Sequence, residues 1–332
     1  MTVDSKGIRD WLARMLAAGQ RVIAPQAVDG EARLAQLTSA DEFRMPDVNT
    51  VNSIKEFFFP KVERLAAFRR VGRRVEVESG AAGGEPFVVF GVRPCDAGSL
   101  EIMDKVFSWD EVDEDWSARR KAAVVVAVAC ERADQYCFCT SVGLAPDSRA
   151  GADVMLLPMV GGGFRVEGIT EKGKKFLGDS GPRGSGTAGG EVMRFEVGRK
   201  FDAGEVGREL EANFESAVWR EASERCIGCG VCTYYCPTCH CFDIQDEADG
   251  GRGARFRTWD SCSFRQFTRH ASGHNPRPDQ ASRWRQRIMH KFLYYPERFG
   301  AISCTGCGRC GRECPVDLGV EETVRGMGEG MR

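Results

Sequence analysis

Two copies of one cysteine pattern constrain this chain more than any other feature of its sequence. The spacing Cys-x2-Cys-x2-Cys-x3-Cys-Pro runs from Cys226 to Pro237 and again from Cys304 to Pro315. Three thiolates at two-residue intervals can bind three corners of one iron–sulfur cube, while the fourth lies too far along and ligates the other cube. Glycines inside both runs let the backbone approach the sulfur atoms closely. The pattern therefore predicts two [4Fe-4S] clusters.

The same spacing predicts that the two runs exchange their last ligands. The ligands expected for cluster one are Cys226, Cys229, Cys232 and Cys314. Those expected for cluster two are Cys304, Cys307, Cys310 and Cys236. Zinc is the alternative occupant of a cysteine cluster, but zinc sites usually show paired cysteines instead of triplets followed by Cys-Pro. We therefore favour iron–sulfur clusters over zinc.

The remaining cysteines also indicate metal binding. Of the fifteen, eleven lie between Cys226 and Cys314 and four between Cys95 and Cys139. No export signal is visible near the N-terminus, so we expect a cytoplasmic, reducing setting, in which clustered thiols bind metals more often than they form disulfides. The longest apolar run, Ala122–Cys130, has nine residues, whereas a membrane span needs about 20. No membrane span is expected.

The N-terminal half has the pattern of an α/β domain. Two short β-branched runs, Phe87–Val92 and Ala123–Cys130, predict buried strands, and Ala97–Val106 between them has helical spacing. Parallel pairing of the two strands would follow from such a connection. Further helices are predicted at Ile8–Leu16, at Glu56–Phe68 with an interruption at Pro60, and at Val206–Ala222. A hairpin is predicted from Val154–Val160 and Phe164–Ile169, with three glycines between them.

These elements predict an α+β protein with an N-terminal α/β domain and a mostly helical ferredoxin-type domain. The expected boundaries are 1–178 for the first domain, 179–198 for a glycine-rich linker and 199–332 for the dicluster domain. The linker contains Gly184-x-Gly186-x-x-Gly189, which matches the dinucleotide-binding fingerprint in form. That fingerprint has meaning only between a strand and a helix. Because no strand is expected before it, we interpret this segment as a flexible linker.

Four cysteines in the N-terminal half predict a third [4Fe-4S] cluster. Cys95 lies just beyond the first predicted strand, and Cys130 ends the second. If these strands are parallel, both thiols emerge at the carboxyl edge of the sheet, where α/β folds place their ligands. Cys137 and Cys139 follow on the next loop, and in an extended loop their side chains point the same way. Core cysteines or a zinc site are the alternatives, since Cys-x-Cys is not a ferredoxin spacing.

A basic segment separates the two cysteine runs. Between Gly251 and Ser303 there are eleven Lys or Arg residues and three Asp or Glu residues. Arg283, Arg285, Arg287 and Lys291 are interleaved with aromatic residues, as in some nucleic-acid-binding surfaces. We favour a different interpretation, in which the cations offset the negative charge of the clusters or contact an acidic protein partner.

The sequence resembles a family of dicluster iron–sulfur subunits, typified by the beta subunit of sulfhydrogenase and by the iron–sulfur subunit of anaerobic sulfite reductase. In the C-terminal half the matching segments are Cys236–Asp243, Trp259–Cys262, Gly273–Arg277, Arg285–Lys291 and Cys307–Cys310. In the N-terminal half they are Lys55–Pro60, Gly91–Asp96 and Cys137–Cys139. The resemblance spans nearly the whole chain, and the glycine-rich segment near residue 185 departs from it.

This resemblance implies a non-catalytic electron-transfer subunit of an oxidoreductase complex of the hydrogenase, sulfite reductase or heterodisulfide reductase type. Its expected partners are a flavoprotein subunit that binds FAD and NAD(P) and a catalytic redox subunit, without nucleic acid. A cluster-based sensor or nucleic-acid-binding module is the alternative, and its affinity would fall steeply with salt. The resemblance leaves open the terminal acceptor and the choice between NAD and NADP.

Three cysteines have no place in the predicted clusters. Cys239, Cys241 and Cys262 remain after the other twelve are assigned. They could hold a further metal with one outside ligand such as His240. We favour buried thiols packed beside cluster two, because free cysteine behaves as a small apolar residue.

Overall fold

The computed structural model describes residues 1–80, 84–183 and 190–330, which form two β-sheets and a set of mostly short helices. The strands are β1 (Thr2–Val3), β2 (Arg21–Val28), β3 (Glu31–Gln36), β4 (Val62–Val71), β5 (Arg74–Ser79), β6 (Phe87–Val92), β7 (Ala123–Val128), β8 (Val154–Pro158), β9 (Phe164–Gly168), β10 (Phe242–Asp249) and β11 (Arg252–Trp259). The helices are α1 (Ser5–Ala17), α2 (Lys55–Phe58), α3 (Pro94–Phe107), α4 (Glu114–Ala122), α5 (Glu171–Ser180), α6 (Ala203–Ala212), α7 (Val218–Ser223), α8 (Val231–Tyr234), α9 (Gln280–Met289), α10 (Tyr295–Phe299), α11 (Arg309–Arg312) and α12 (Val320–Gly330). A π-helical segment, His290–Tyr294, joins α9 to α10.

The larger sheet has the strand order β1-β9-β8-β7-β6-β2-β3. Its centre, from β2 through β6 and β7 to β8, is parallel, and the outer pairs are antiparallel. Successive side chains of β6 pack on opposite faces. Phe87 and Val89 join a core with Phe58, while Val88 and Phe90 join another with Trp11. Both faces of the parallel centre are therefore covered, as such sheets require.

The predicted strand–helix–strand unit is confirmed. β6 and β7 are parallel neighbours, with Val88 opposite Val124, and α3 connects them. The hairpin of β8 and β9 is also confirmed, with Leu156 opposite Val166. The observed architecture is the predicted mixture of an N-terminal α/β region and a C-terminal region of short helices. The fold therefore sets the carboxyl ends of β6 and β7 side by side.

The predicted helix over Glu56–Phe68 is wrong beyond its first turn. α2 ends at Phe58, and the chain then enters β4. Proline at position 60 cannot continue the helix, and β4 is paired on both sides, with β5 and with β11. The partner β11 lies almost two hundred residues away, so no local pattern indicated this strand.

The predicted helix over Val206–Ala222 is interrupted. It divides into α6 and α7, and the backbone between them turns at Asn213. The Trp219 indole donates a hydrogen bond of 3.0 Å to the Asn213 carbonyl, and the Ser216 hydroxyl accepts one from the Val218 amide. Asn and Ser side chains compete with helical hydrogen bonding in this way.

The smaller sheet, of order β10-β11-β4-β5, joins segments from both sides of the predicted linker. Hence the division at 179–198 stays a prediction about domains, while this sheet pairs residues from before and after it. Helix α5 runs to Ser180, and Met159 forms an isolated bridge with Val192. The Gly184–Gly189 fingerprint lies outside the described residues.

The C-terminal helices surround a separate core. Trp284 and Phe292 are buried there against Phe138 of the N-terminal half, together with the thiols of Cys232 and Cys304. No helix in the described parts of the chain is long and apolar enough to cross a membrane. The two cysteine runs therefore sit against a hydrophobic core that both halves of the chain build.

Candidate metal centres

The first cysteine run forms a tight loop that leads into α8. Gly228 and Gly230 both have φ near +70°, at 69° and 77°, in the left-handed region where glycine is favoured. A Cβ on Gly230 would lie only 2.7 Å from the Phe264 ring. The loop thus requires glycine both for its backbone angle and for its close approach to a neighbour.

The second run repeats this geometry ahead of α11. Gly306 and Gly308 have φ values of 63° and 76°, and a Cβ on Gly306 would collide with the backbone of Cys139. Two loops of the same shape, each with three cysteines, present a cradle that fits the cubes predicted from the spacing. The [4Fe-4S] group is therefore compatible with the residues present.

The structure brings together thiols that are distant in sequence. The pKa of Cys226 is raised by burial and further by the nearby thiols of Cys314 and Cys229. Burial raises the pKa of Cys304 to about 12, with Cys236 and Cys310 adding to the shift. Each run thus lies close to the last cysteine of the other, as interleaved ligation requires. The ligand assignment itself stays a prediction.

Two cations of the basic segment are buried among the thiols instead of forming a surface. Arg287 and Lys291 are only 2% and 3% exposed. The Arg287 Nη1 donates to Cys239 Sγ at 3.1 Å, and Lys291 Nζ donates to Cys236 Sγ at 3.4 Å. These cations face sulfur and cannot contact a nucleic-acid backbone. This placement supports the charge-compensation interpretation.

The four N-terminal cysteines line one cavity. Cys95 stands in the first turn of α3 after β6, and Cys130 follows β7. Their thiols share the cavity with those of Cys137 and Cys139, and Cys307 of the second run lines it as well. The expected convergence at the carboxyl edge of the sheet is thus observed.

Burial governs the protonation of this N-terminal set. It raises the pKa values of Cys130, Cys137 and Cys139 to about 11 and that of Cys95 well above its usual range. Without a metal these thiols are neutral at pH 7. A cluster binds thiolates, so its assembly displaces protons from all ligating thiols.

The N-terminal cavity and the second run are in direct contact. The Phe138 amide donates to the Gly306 carbonyl at 2.9 Å, and Asn49 Nδ2 donates to the Cys307 carbonyl at 2.9 Å. Arg309 forms a buried ion pair with Asp96, the residue after Cys95. Any cofactors at these two sites are neighbours.

Sequence reasoning missed three charged residues at these sites. Lys55 is 3% exposed and lies over the Trp259 ring at 3.8 Å. Asp96 and Arg309 are similarly enclosed. All three fall within the segments that carried the resemblance, but no charge pattern nearby in the sequence indicates their partners.

The leftover thiols of Cys239, Cys241 and Cys262 are close to cluster-two ligand Cys236. Cys239 contacts Cys236, and Cys241 contacts Cys262. His240 between them has Nδ1 3.1 Å from the Thr238 carbonyl. Within the described residues, no three His, Cys, Asp or Glu side chains converge to hold a single metal ion. The thiolates of an iron–sulfur cluster bind separate irons, so they need not converge in this way.

Comparison with known proteins agrees with this geometry. Residues 225–318 match the family described as a 4Fe-4S dicluster domain. The fold and the two cysteine loops thus define an iron–sulfur electron-transfer protein of the oxidoreductase-subunit class. Its [4Fe-4S] clusters are those of the dicluster domain.

The family follows from a full-length relative. The chain is 30% identical to the sulfhydrogenase 2 subunit beta of Pyrococcus furiosus over 321 aligned residues, covering 94% of this chain and 93% of the relative. The chain belongs to the sulfhydrogenase beta subunit family, which confirms the resemblance found in the sequence. No solved structure matches the chain.

Proposed function

We propose that this chain relays electrons between a flavoprotein subunit, which exchanges electrons with NAD(P)H, and a catalytic redox subunit of a cytoplasmic, sulfhydrogenase-like complex. The relative it resembles over its whole length is named as a subunit. The observation that carries the proposal is the adjacency of thiol sites. Cys307 of the second run lines the same cavity as the four N-terminal cysteines.

The proposal includes a third [4Fe-4S] cluster held by Cys95, Cys130, Cys137 and Cys139. Four thiols around one cavity meet the ligand count of a cube. Each bound cluster would exchange one electron without making or breaking bonds to a substrate. A chain of such sites is a conduit, and the protein around it sets burial, charge and hydrogen bonding to sulfur.

One end of this conduit reaches the surface. Cys229 in the first loop is exposed, and Ile227 beside it is 66% exposed. The second run is enclosed by comparison, since Cys304 and Cys307 are buried. A partner subunit can therefore approach the first cluster most closely. We assign this loop as the place where electrons enter or leave the chain.

The test is reduction of the purified full-length chain under anaerobic conditions. A strong chemical reductant is expected to bleach the cluster absorbance, whereas NADH and NADPH alone are expected to leave it unchanged. Adding a purified NAD(P)H-oxidising flavoprotein of the same complex is expected to permit reduction by the nucleotide. Direct stoichiometric reduction by either nucleotide without flavoprotein would refute the relay.

A further inference from the structure

The three leftover cysteines meet at the base of the β10–β11 hairpin. Cys239 and Cys241 immediately precede β10, and Cys262 follows β11. The ladder closes with Phe242 opposite Trp259, and the Asp260 amide donates to the Cys241 carbonyl at 3.0 Å. The hairpin thus brings a Cys-His-Cys segment and a distant cysteine together. The Cys241 and Cys262 side chains are in hydrogen-bonding contact.

Three buried cations surround these thiols. Lys55, Arg287 and Lys291 are each at least nine-tenths buried. In the part of the chain that the structure describes, none of them forms an ion pair with a carboxylate. A buried charge without a counter-charge costs several kcal/mol, so this pocket is built for an anionic occupant.

Two of these cations still have unused binding capacity. Arg287 donates from Nη1 to Cys239 Sγ and from Nη2 to the Cys232 carbonyl, but its buried Nε has no partner. Lys55 Nζ reaches only the Thr233 carbonyl at 3.2 Å and the Trp259 ring. An orphaned guanidinium N–H within a cage of thiols points to an acceptor such as sulfide or thiolate.

The ferredoxin-type clusters do not account for Lys55. Lys291 contacts Cys236, a predicted ligand of cluster two, and Arg287 contacts the backbone of Cys232, a predicted ligand of cluster one. Lys55 instead faces Cys239 and Cys241 as well as Cys236. Its buried charge thus needs an anion on the side of the leftover thiols.

We propose that Cys239, Cys241 and Cys262 hold an additional iron–sulfur cluster with three cysteine ligands, lying beside Cys236 and in contact with Arg287. Formation of its three iron–thiolate bonds releases the three thiol protons, and iron and sulfide come from cluster assembly. Zinc fits less well, because a zinc ion needs its donors around one point and no such convergence occurs among the described residues. Three cysteines match a three-iron cluster, or a four-iron cluster with one iron not bound by cysteine.

The test measures iron, sulfide and zinc in the full chain after anaerobic reconstitution with ferrous iron and sulfide. Three cubes alone give about 12 iron atoms per chain, and the additional cluster raises the total to about 15 or 16. Cys262→Ser is expected to remove three or four iron atoms. Cys130→Ser, the matched control, removes only the iron of the N-terminal site, and the losses add in the double variant.

Mössbauer spectroscopy of the wild-type chain counts the same clusters without depending on how a variant folds. Unchanged iron and sulfide in Cys262→Ser would overturn the proposal. So would one bound zinc per chain with no extra iron, or a Cys241–Cys262 disulfide in the anaerobic protein. None of these results bears on reduction by nucleotides, so the electron-relay function stands or falls separately.

Discussion

Arg309 and Asp96 form a buried, two-pronged ion pair that fastens the second cysteine run to the helix carrying Cys95. Arg309 Nη1 donates to Asp96 Oδ1 and Nη2 to Oδ2, both at 2.8 Å, and the exposed fractions are 0% and 1%. Arg309 also donates to the Thr50 carbonyl at 2.7 Å. Because each residue adjoins a cysteine, this pair fixes the distance between two metal sites.

Removing one partner of this pair should destabilise the protein strongly. Asp96→Asn leaves the Arg309 charge buried and uncompensated, which typically costs about 3–5 kcal/mol. The expected result is a clear fall in the urea midpoint of the anaerobic protein, followed by circular dichroism and cluster absorbance. Glu76→Gln, which breaks the exposed ion pair with Arg69, is the control and should cost less than about 1 kcal/mol. Equal effects of the two variants would contradict this role.

The interleaved ligand sets predict a pattern of non-additive losses. Cys314→Ser and Cys226→Ser should perturb the same cluster, because their thiols are close in space. The double variant should therefore lose no more iron than either single variant, whereas Cys314→Ser combined with Cys304→Ser should lose both clusters. Iron analysis with electron paramagnetic resonance of the reduced protein measures this. Additive losses for Cys314 and Cys226 would show that each run closes its own cube.

The N-terminal cluster predicts a loss of about four iron atoms when Cys130 becomes serine. The quadruple replacement of Cys95, Cys130, Cys137 and Cys139 should remove no further iron, since all four thiols line one cavity. Colorimetric iron and sulfide determination on reconstituted protein is sufficient. If Cys130→Ser keeps the full wild-type iron content, these residues are ordinary core cysteines.

Gly306 allows a comparison with a matched glycine. Gly306 and Gly300 have φ values of 63° and 64°, but only Gly306 packs against another backbone, that of Cys139. Gly300→Ala should cost about 1–2 kcal/mol from the left-handed backbone alone. Gly306→Ala adds a collision between the second run and the N-terminal site, so its stability and iron content should fall further. Similar stability and iron content in both variants would argue against close contact of the two sites.

Much of the site could be predicted because its chemistry is local in sequence. The cysteine runs carry their own spacing, and Cys95 and Cys130 follow strands whose β-branched residues are recognisable. Parallel pairing of those strands then places both thiols at one edge. Here each inference needed only a segment and its neighbours.

The parts that could not be predicted depend on distant partners. β4 is a strand because β11 pairs with it, and the pairing of Val62 with Thr258 spans most of the chain. Arg287 belongs to a basic, aromatic segment that is typical of a surface, yet its side chain is enclosed by thiols. Composition predicts the charge of a segment, but only tertiary packing decides which side chains of that segment become buried.

Arg287 should raise the reduction potentials of the clusters beside it. Reduction adds negative charge to a cluster, and a buried guanidinium in contact with the thiol of Cys239 and the backbone of Cys232 stabilises that charge. Arg287→Met should therefore lower the potentials, whereas Arg287→Lys keeps the positive charge and should lower them less. For a one-electron couple, about 59 mV corresponds to a lost interaction of about 1.4 kcal/mol.

Arg285 supplies the control for this redox prediction. It lies two residues earlier on α9, but its guanidinium stacks on Phe214 at 3.8 Å and pairs with Glu215, away from the thiols. Arg285→Met should leave the potentials unchanged in a redox titration monitored by electron paramagnetic resonance. A fall of tens of millivolts in Arg287→Met alone would establish that charge at this position tunes the clusters. Equal shifts in Arg285→Met and Arg287→Met would instead reflect the net charge of the protein.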